Sequence, residues 1–487
     1  MFSLRALSST LMVLLICGVA VAQHEVGGGS TSGSATSTDS GRGGSVKVRR
    51  SPARVVPRRT RPAVRAVTAE QYNQQGDTFF DAEQYDDALE AYQKAVQLKP
   101  ISSAYYHIGW IYNERDEYAL ALAALQQAIR LNSNHAMSYG ELGYAYRNLK
   151  RYDEALLAYR RAVALDPSYA RAYYDMGWTF NEQKQYAEAV QPLRTAITLK
   201  PNYPEAYFEL GYASRRLGRH QEAISAYRRA ISMKSDYAQA YFGLGDVYFY
   251  NTSQYPEAIS AYTTALTFKP DNATAVYNIG WSHNELQQYQ QAIGPLERAV
   301  SLKPDYAEAH GELGYAYRKL ERFNDAMRSY NQAIRLKPDY APPYFGLGDL
   351  YYYNLHQSEN AIRAYQQGLR LKPNNATANF NVGWAFNDLG RHADALAPLR
   401  EALRLKPEYT EAYQELGYAY LNIGSYNEAV ASFREAIRIK PDYALAHFNL
   451  GITYVNMRDR NRAMEQYRIL QRMDRARADR LLAAINK

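Results

Sequence analysis

Cysteine is almost missing from this sequence: position 17 carries the only one among 487 residues, so no disulfide is available to brace the chain. Long apolar runs are missing too. The best, residues 11–20, falls well short of the roughly 20 residues a bilayer-spanning helix needs. The nine histidines form no His-Glu-x-x-His pattern and no tight cluster, which removes the usual grounds for expecting a metal. No glycine-rich stretch leads into Lys-Ser or Lys-Thr, so a phosphate-cradling loop is absent, and Gly243 and Gly245 sit in a helical pattern instead. No side chain stands out from the ordinary surface positions as one half of an acid–base pair. The expectation is a non-enzyme with no cofactor and no metal. Past residue 68 the chain also lacks net charge: the overall +8 resides in the first 68 residues, where ten Lys or Arg face only Glu25 and Asp39.

What the sequence has in abundance is repetition. A glycine returns at 76, 109, 143, 177, 211, 245, 280, 314, 348, 383, 417 and 451, at intervals of 33 to 35 residues. In the unit spanning 171–204, Tyr173, Met176, Gly177 and Phe180 fall at i, i+3, i+4 and i+7, the stripe of a helix with one buried face. A polar break over 182–185 follows, and Ala189, Val190, Leu193, Ala196 and Ile197 repeat that spacing. Each unit therefore reads as a leading and a trailing helix, the second stopped near Lys200 by Pro201. Glycine inside a helix costs about 1 kcal/mol relative to alanine. Its return, with small partners such as Ala189 and Ala196, implies a close helix crossing.

The pattern resembles the tetratricopeptide repeat, seen in the third unit as Tyr139, Leu142, Gly143, Tyr146, Ala155, Tyr159, Ala162 and Pro167. A two-helix unit cannot bury its apolar face alone, so units must stack. The resemblance implies an all-α fold: a right-handed superhelical solenoid of twelve helix-turn-helix repeats over 69–470. Residues 471–487 read as a capping helix with Ala476, Ala478, Leu481, Leu482 and Ile485 inward. The resemblance also implies a concave groove, lined by leading helices, where partners bind.

A longer period is superimposed on the short one. The residue after the marker glycine is Asp77, Trp110, Tyr144, Trp178, Tyr212, Asp246, Trp281, Tyr315, Asp349, Trp384, Tyr418 and Ile452 in successive units, so three unit types, W, Y and D, alternate. Gly177, Gly280 and Gly383 are 103 residues apart, and each D unit after the first carries one extra residue, near 248–251 and 351–354. The third unit, of Y type, is followed directly by a W unit. The W units repeat Tyr106, Trp110, Asn113; Tyr174, Trp178, Asn181; Tyr277, Trp281, Asn284; and Phe380, Trp384, Asn387. The Y units repeat Glu141, Tyr144, Arg147; Glu209, Tyr212, Arg215; and Glu312, Tyr315, Arg318, with Tyr418 followed by Leu421 in the last. These side chains, with Asp246 and Asp349, form a second stripe about 100° round from the buried one. By the resemblance that stripe faces the groove, as a ladder of aromatic plates and polar groups suited to a peptide or a glycan. Packing between neighbouring leading helices is the competing explanation for the rings, since duplication copies residues whether or not they function.

Before the repeats, residues 1–22 read as a signal peptide with a small-x-small site ending at Ala22. Ile16 speaks against a lipid anchor at Cys17. Residues 23–45 read as a Gly/Ser/Thr-rich tether and 46–68 as a basic, Pro/Arg-rich disordered segment. The expectation is a periplasmic or secreted scaffold binding a peptide or partner protein in its groove, with a glycan or cell-wall binder, or a filament former, as alternatives. The basic tail is suited to anionic envelope components. Nucleic acid is not the expected partner, because the array itself carries no net positive charge. No transmembrane span is expected in the mature form.

Overall fold

The computed structural model describes residues 67–487, and the regular structure among them is all helical. The expected signal peptide, tether and nearly all of the basic segment lie outside the described residues. Twelve helix pairs run from Ala69–Asp81 with Tyr85–Leu98 to Ala444–Asn456 with Arg460–Met473, and one further helix, Arg475–Ile485, closes the series. None of these helices is long and apolar enough to cross a membrane.

Each leading helix packs on its own trailing helix, and each trailing helix packs on the next leading one. Successive leading helices also touch, as Ala273–Glu285 touches Ala307–Lys319, whereas successive trailing helices make no comparable contact. The leading helices therefore share one face of the stack, hereafter its inner face.

The marker glycines make the close crossing possible. A Cβ on Gly177 would stand 2.4 Å from Leu193 Cγ, and one on Gly245 would stand 2.7 Å from Tyr262 Cδ1. The side chain received is leucine in the W units (Leu125, Leu193, Leu296, Leu399) and tyrosine or phenylalanine in nearly all the others, and each lies fully or almost fully out of solvent. The extra residue of the D units is taken up as a π-helical turn, Val247–Asn251 and Leu350–Asn354, which continues the leading helix without breaking it. One inserted residue widens one turn, and the units on either side keep their register.

The two ends differ from the middle. Thr68 begins the array with a capping box: the Gln71 N–H donates to its hydroxyl and the Thr68 N–H donates to Gln71 Oε1. At the other end Asp474 caps the final helix, and Ala478 and Leu481 are fully buried against the last pair. Leu481 lies where a Cβ on Gly451 would be, taking the place that a trailing-helix residue holds elsewhere.

Candidate functional site

The polar residues of the inner face are mostly committed to neighbouring units. From each W unit to the following Y unit, an asparagine Nδ2 donates both to a glutamate backbone carbonyl and to its carboxylate. The distances are 3.1 and 2.9 Å for Asn113 to Glu141, 3.1 and 2.8 Å for Asn181 to Glu209, and 3.1 and 3.0 Å for Asn284 to Glu312. Asn387 reaches Glu415 in the same way, at 3.0 and 2.9 Å. The four asparagines and Glu141, Glu209 and Glu312 are buried. The sequence reading turned these side chains toward a ligand; the structure turns them sideways into the seam. A carboxylate in a seam closed to water exchanges its hydration for the few polar groups around it, and Glu141 adds Arg171 at 3.2 Å to its asparagine. Burial pushes the Glu209 carboxyl up to about 7, against the lowering effect of its bond from Asn181, and also raises Glu141.

The next seams use other pairs. Arg215 meets Asp246 at 3.7 Å and Arg318 meets Asp349 at 3.3 Å, linking Y units to D units. Where the third unit runs directly into a W unit, Arg147 pairs instead with Asp175, at 2.6 Å. From D to W, the Tyr262 hydroxyl donates to Asp246 at 2.8 Å and accepts from Asn278 Nδ2 at 3.0 Å; Tyr365, Asp349 and Asn381 repeat this at 2.7 and 3.0 Å. The sequence reading passed over Asn278, Asn381 and Asp175. A signal was there: the residue three before each tryptophan is Asn after these D units and Asp after a Y unit.

The aromatic residues are divided between the seam and the open face. All four tryptophans are half-buried. Three meet a ring of the preceding unit edge-on: Phe80 with Trp110 at 4.8 Å between centroids, Phe249 with Trp281 at 5.0 Å, and Tyr352 with Trp384 at 5.3 Å. Trp178 instead carries the Arg147 guanidinium 4.4 Å from its ring centroid. Tyr277 and Phe380 are buried; Tyr106, Tyr174, Tyr144, Tyr212 and Tyr315 are partly open, and Tyr418 is 37% exposed. The most open rings on the π-helical turns were not among the candidates at all. Tyr250 and Tyr353 are 47% and 44% exposed, and their hydroxyls are held by Asn278 and Asn381.

Little else in the molecule competes as a site. Among the described residues no cluster of three or more His, Cys, Asp or Glu could hold a metal. A shallow hollow of about 390 Å³ lies around Gly294 and Pro295, lined by two trailing helices and by Val276 and Ile279 of the leading helix between them.

Comparison with known proteins yields repeat signatures along most of this array. A family model described as "Tetratricopeptide repeat" matches residues 73–136, 208–273, 248–307 and 345–410, and a second so described matches 124–156. One described as "TPR repeat" matches 143–180, 177–218, 314–354 and 422–457. No curated protein matches the sequence. Among solved structures, YrrB, whose structure is described as that of a TPR protein with an unusual peptide-binding site, is 25% identical over 38% of this chain and 95% of its own, with a TM-score of 0.36. MamA is 27% identical over 36% of this chain and 96% of its own, with a TM-score of 0.34. Yeast Tom70 is 13% identical over 86% and 94%, with a TM-score of 0.35. Superpositions this loose carry no argument about what the inner face binds.

Proposed function

The chain belongs to the tetratricopeptide repeat family, and on that premise we propose that it is a protein-interaction scaffold holding an extended segment of a partner along its inner face. The observation that carries this reading is the recurrence of partly open aromatic rings on that face, unit after unit, between polar residues already bonded to their neighbours. Side chains fixed in this way lose little further freedom when a ligand arrives, which favours binding. Contacts spread along a stack rather than gathered in one cavity suit a linear ligand. The family's repeats build surfaces, and the chain is accordingly read as a non-enzyme.

Export to the periplasm or outside the cell is part of the same proposal and is supported by the sequence of residues 1–22 alone, read as a signal peptide. There the basic residues before 66 would contact anionic envelope components by long-range attraction.

Tryptophan fluorescence of the full chain, titrated with extended peptides and with soluble oligosaccharides, tests the groove. The expected result is a saturable shift with peptides, weakened about tenfold by joint Tyr250→Ala and Tyr353→Ala. A shift with sugars alone would replace the protein partner with a glycan. Silence with both classes of probe would remove the inner face as a binding site.

A further inference from the structure

Resting on that scaffold reading, we propose that the partner segment is cationic: each seam from a D unit into a W unit takes an arginine or lysine side chain against the tryptophan, beside a carboxylate. Every W unit places an acid one helical turn after its tryptophan, as Trp110 and Glu114, Trp178 and Glu182, Trp281 and Glu285, Trp384 and Asp388. The Trp281 indole N–H donates to Glu285 Oε1 at 3.1 Å, so that carboxylate lies directly at the ring edge. Asp388 accepts the Tyr352 hydroxyl, the ring that meets Trp384. Among the described residues Glu114, Glu285 and Asp388 have no ion-pair partner.

The molecule shows one guanidinium on a tryptophan of this array. Where the D unit is missing, Arg147 lies 4.4 Å from the Trp178 centroid and 4.6 Å from the Tyr144 centroid, with Asp175 as its counter-ion. At the D-to-W seams the register place of Arg147, four residues after the marker glycine, holds Phe80, Phe249 or Tyr352, and that of Asp175 holds His107, Asn278 or Asn381, so the acid near the tryptophan is the one a turn after it. The neighbouring Phe80, Phe249 and Tyr352 meet the indoles edge-on, at 70°, 76° and 64° between planes, and no lysine or arginine of the described chain stands over those rings. A guanidinium or ammonium laid on the part of the half-buried indole that these rings leave open gains both the ring quadrupole and a carboxylate that has no ion-pair partner. Because the seam at Trp281 recurs at Trp384 with an aromatic ring at each equivalent place, Tyr250 and Tyr353 included, the segment that uses both carries basic residues at recurring positions.

The test is calorimetric titration of the full chain with an 18-residue peptide of six Gly-Ser-Arg triplets and with its citrulline counterpart. The citrulline peptide keeps the shape and removes the charge. The arginine peptide should bind about tenfold more tightly, and the joint change Glu114→Gln, Glu285→Gln and Asp388→Asn should abolish that preference. Glu182→Gln, at the same repeat position but beside a tryptophan already covered by Arg147, should leave it unchanged. Equal binding of the two peptides would overturn the cationic partner while leaving the scaffold standing. An effect of Glu182→Gln as large as that of the joint change would also overturn it, by showing diffuse attraction to surface acids. If neither peptide binds, the cationic partner fails, and a saturable response to uncharged extended peptides in the fluorescence titration would show that the scaffold reading survives it.

Discussion

Gly280 and Gly294 belong to the same unit and have opposite expectations on substitution. A Cβ on Gly280 would stand 2.5 Å from Leu296 Cγ and 3.3 Å from the Ala292 carbonyl, whereas one on Gly294 meets nothing within 4 Å. Overpacking of this kind costs about 1–3 kcal/mol, more than the roughly 1 kcal/mol that alanine returns through helix propensity. Gly280→Ala should therefore lower stability by about 1–2 kcal/mol, and Gly294→Ala should raise it by about 0.5–1 kcal/mol. Urea titrations followed by circular dichroism would separate the two, and equal effects would refute the steric account. The marker glycines were legible in the sequence because a helix-breaking residue returned where only a close crossing explains it. The asparagines were not. Asn181 and Trp178 sit on the same stripe, and a three-residue step round a helix decides which one meets the neighbour and which stays half open.

At the scale of the element, the seam between a W unit and a Y unit has its own dependence on pH. Glu209 holds its proton in the folded chain up to about 7, mainly through burial, with Glu182 raising and Arg147 lowering the value, against an ordinary 4.5. The folded state then binds more protons than the unfolded one between those values. The contribution of this group is fully present below 4.5 and is lost as pH rises through about 7, on the order of 3 kcal/mol. Glu209→Gln, which imitates the protonated form, should gain on the parent as pH rises from 5 to 8 and match it most closely at the acid end. Denaturant midpoints at each pH would check this, and a variant tracking the parent throughout would refute it. The π-helical turns were half legible: the two 35-residue intervals located the inserted residue, and only the helix itself showed that it widens a turn and carries Tyr250 and Tyr353 outward.

For the whole molecule, stability is a sum of units and seams, so the ends are the places where the stack can open or grow. The final helix buries Ala478 and Leu481 on the last pair, and the Arg460 guanidinium donates to the Ile485 carbonyl at 2.8 Å. Deleting residues 475–487 should speed amide exchange in Ala444–Asn456 by about tenfold or more, with central units unaffected. Light scattering should show the full chain keeping one mass over a range of concentration while the shortened chain grows. Exchange unchanged at both ends would mean the helix is an ornament and not a cap. The sequence by itself determined the repeat, the helix pairs, the alternation of W, Y and D units and the rings that return with it, because period and residue size act locally and are copied with each unit. Tertiary structure alone decided which polar residues are used up between units and which aromatic rings remain available. That choice depends on the angle at which one helix pair meets the next, and no single unit contains it.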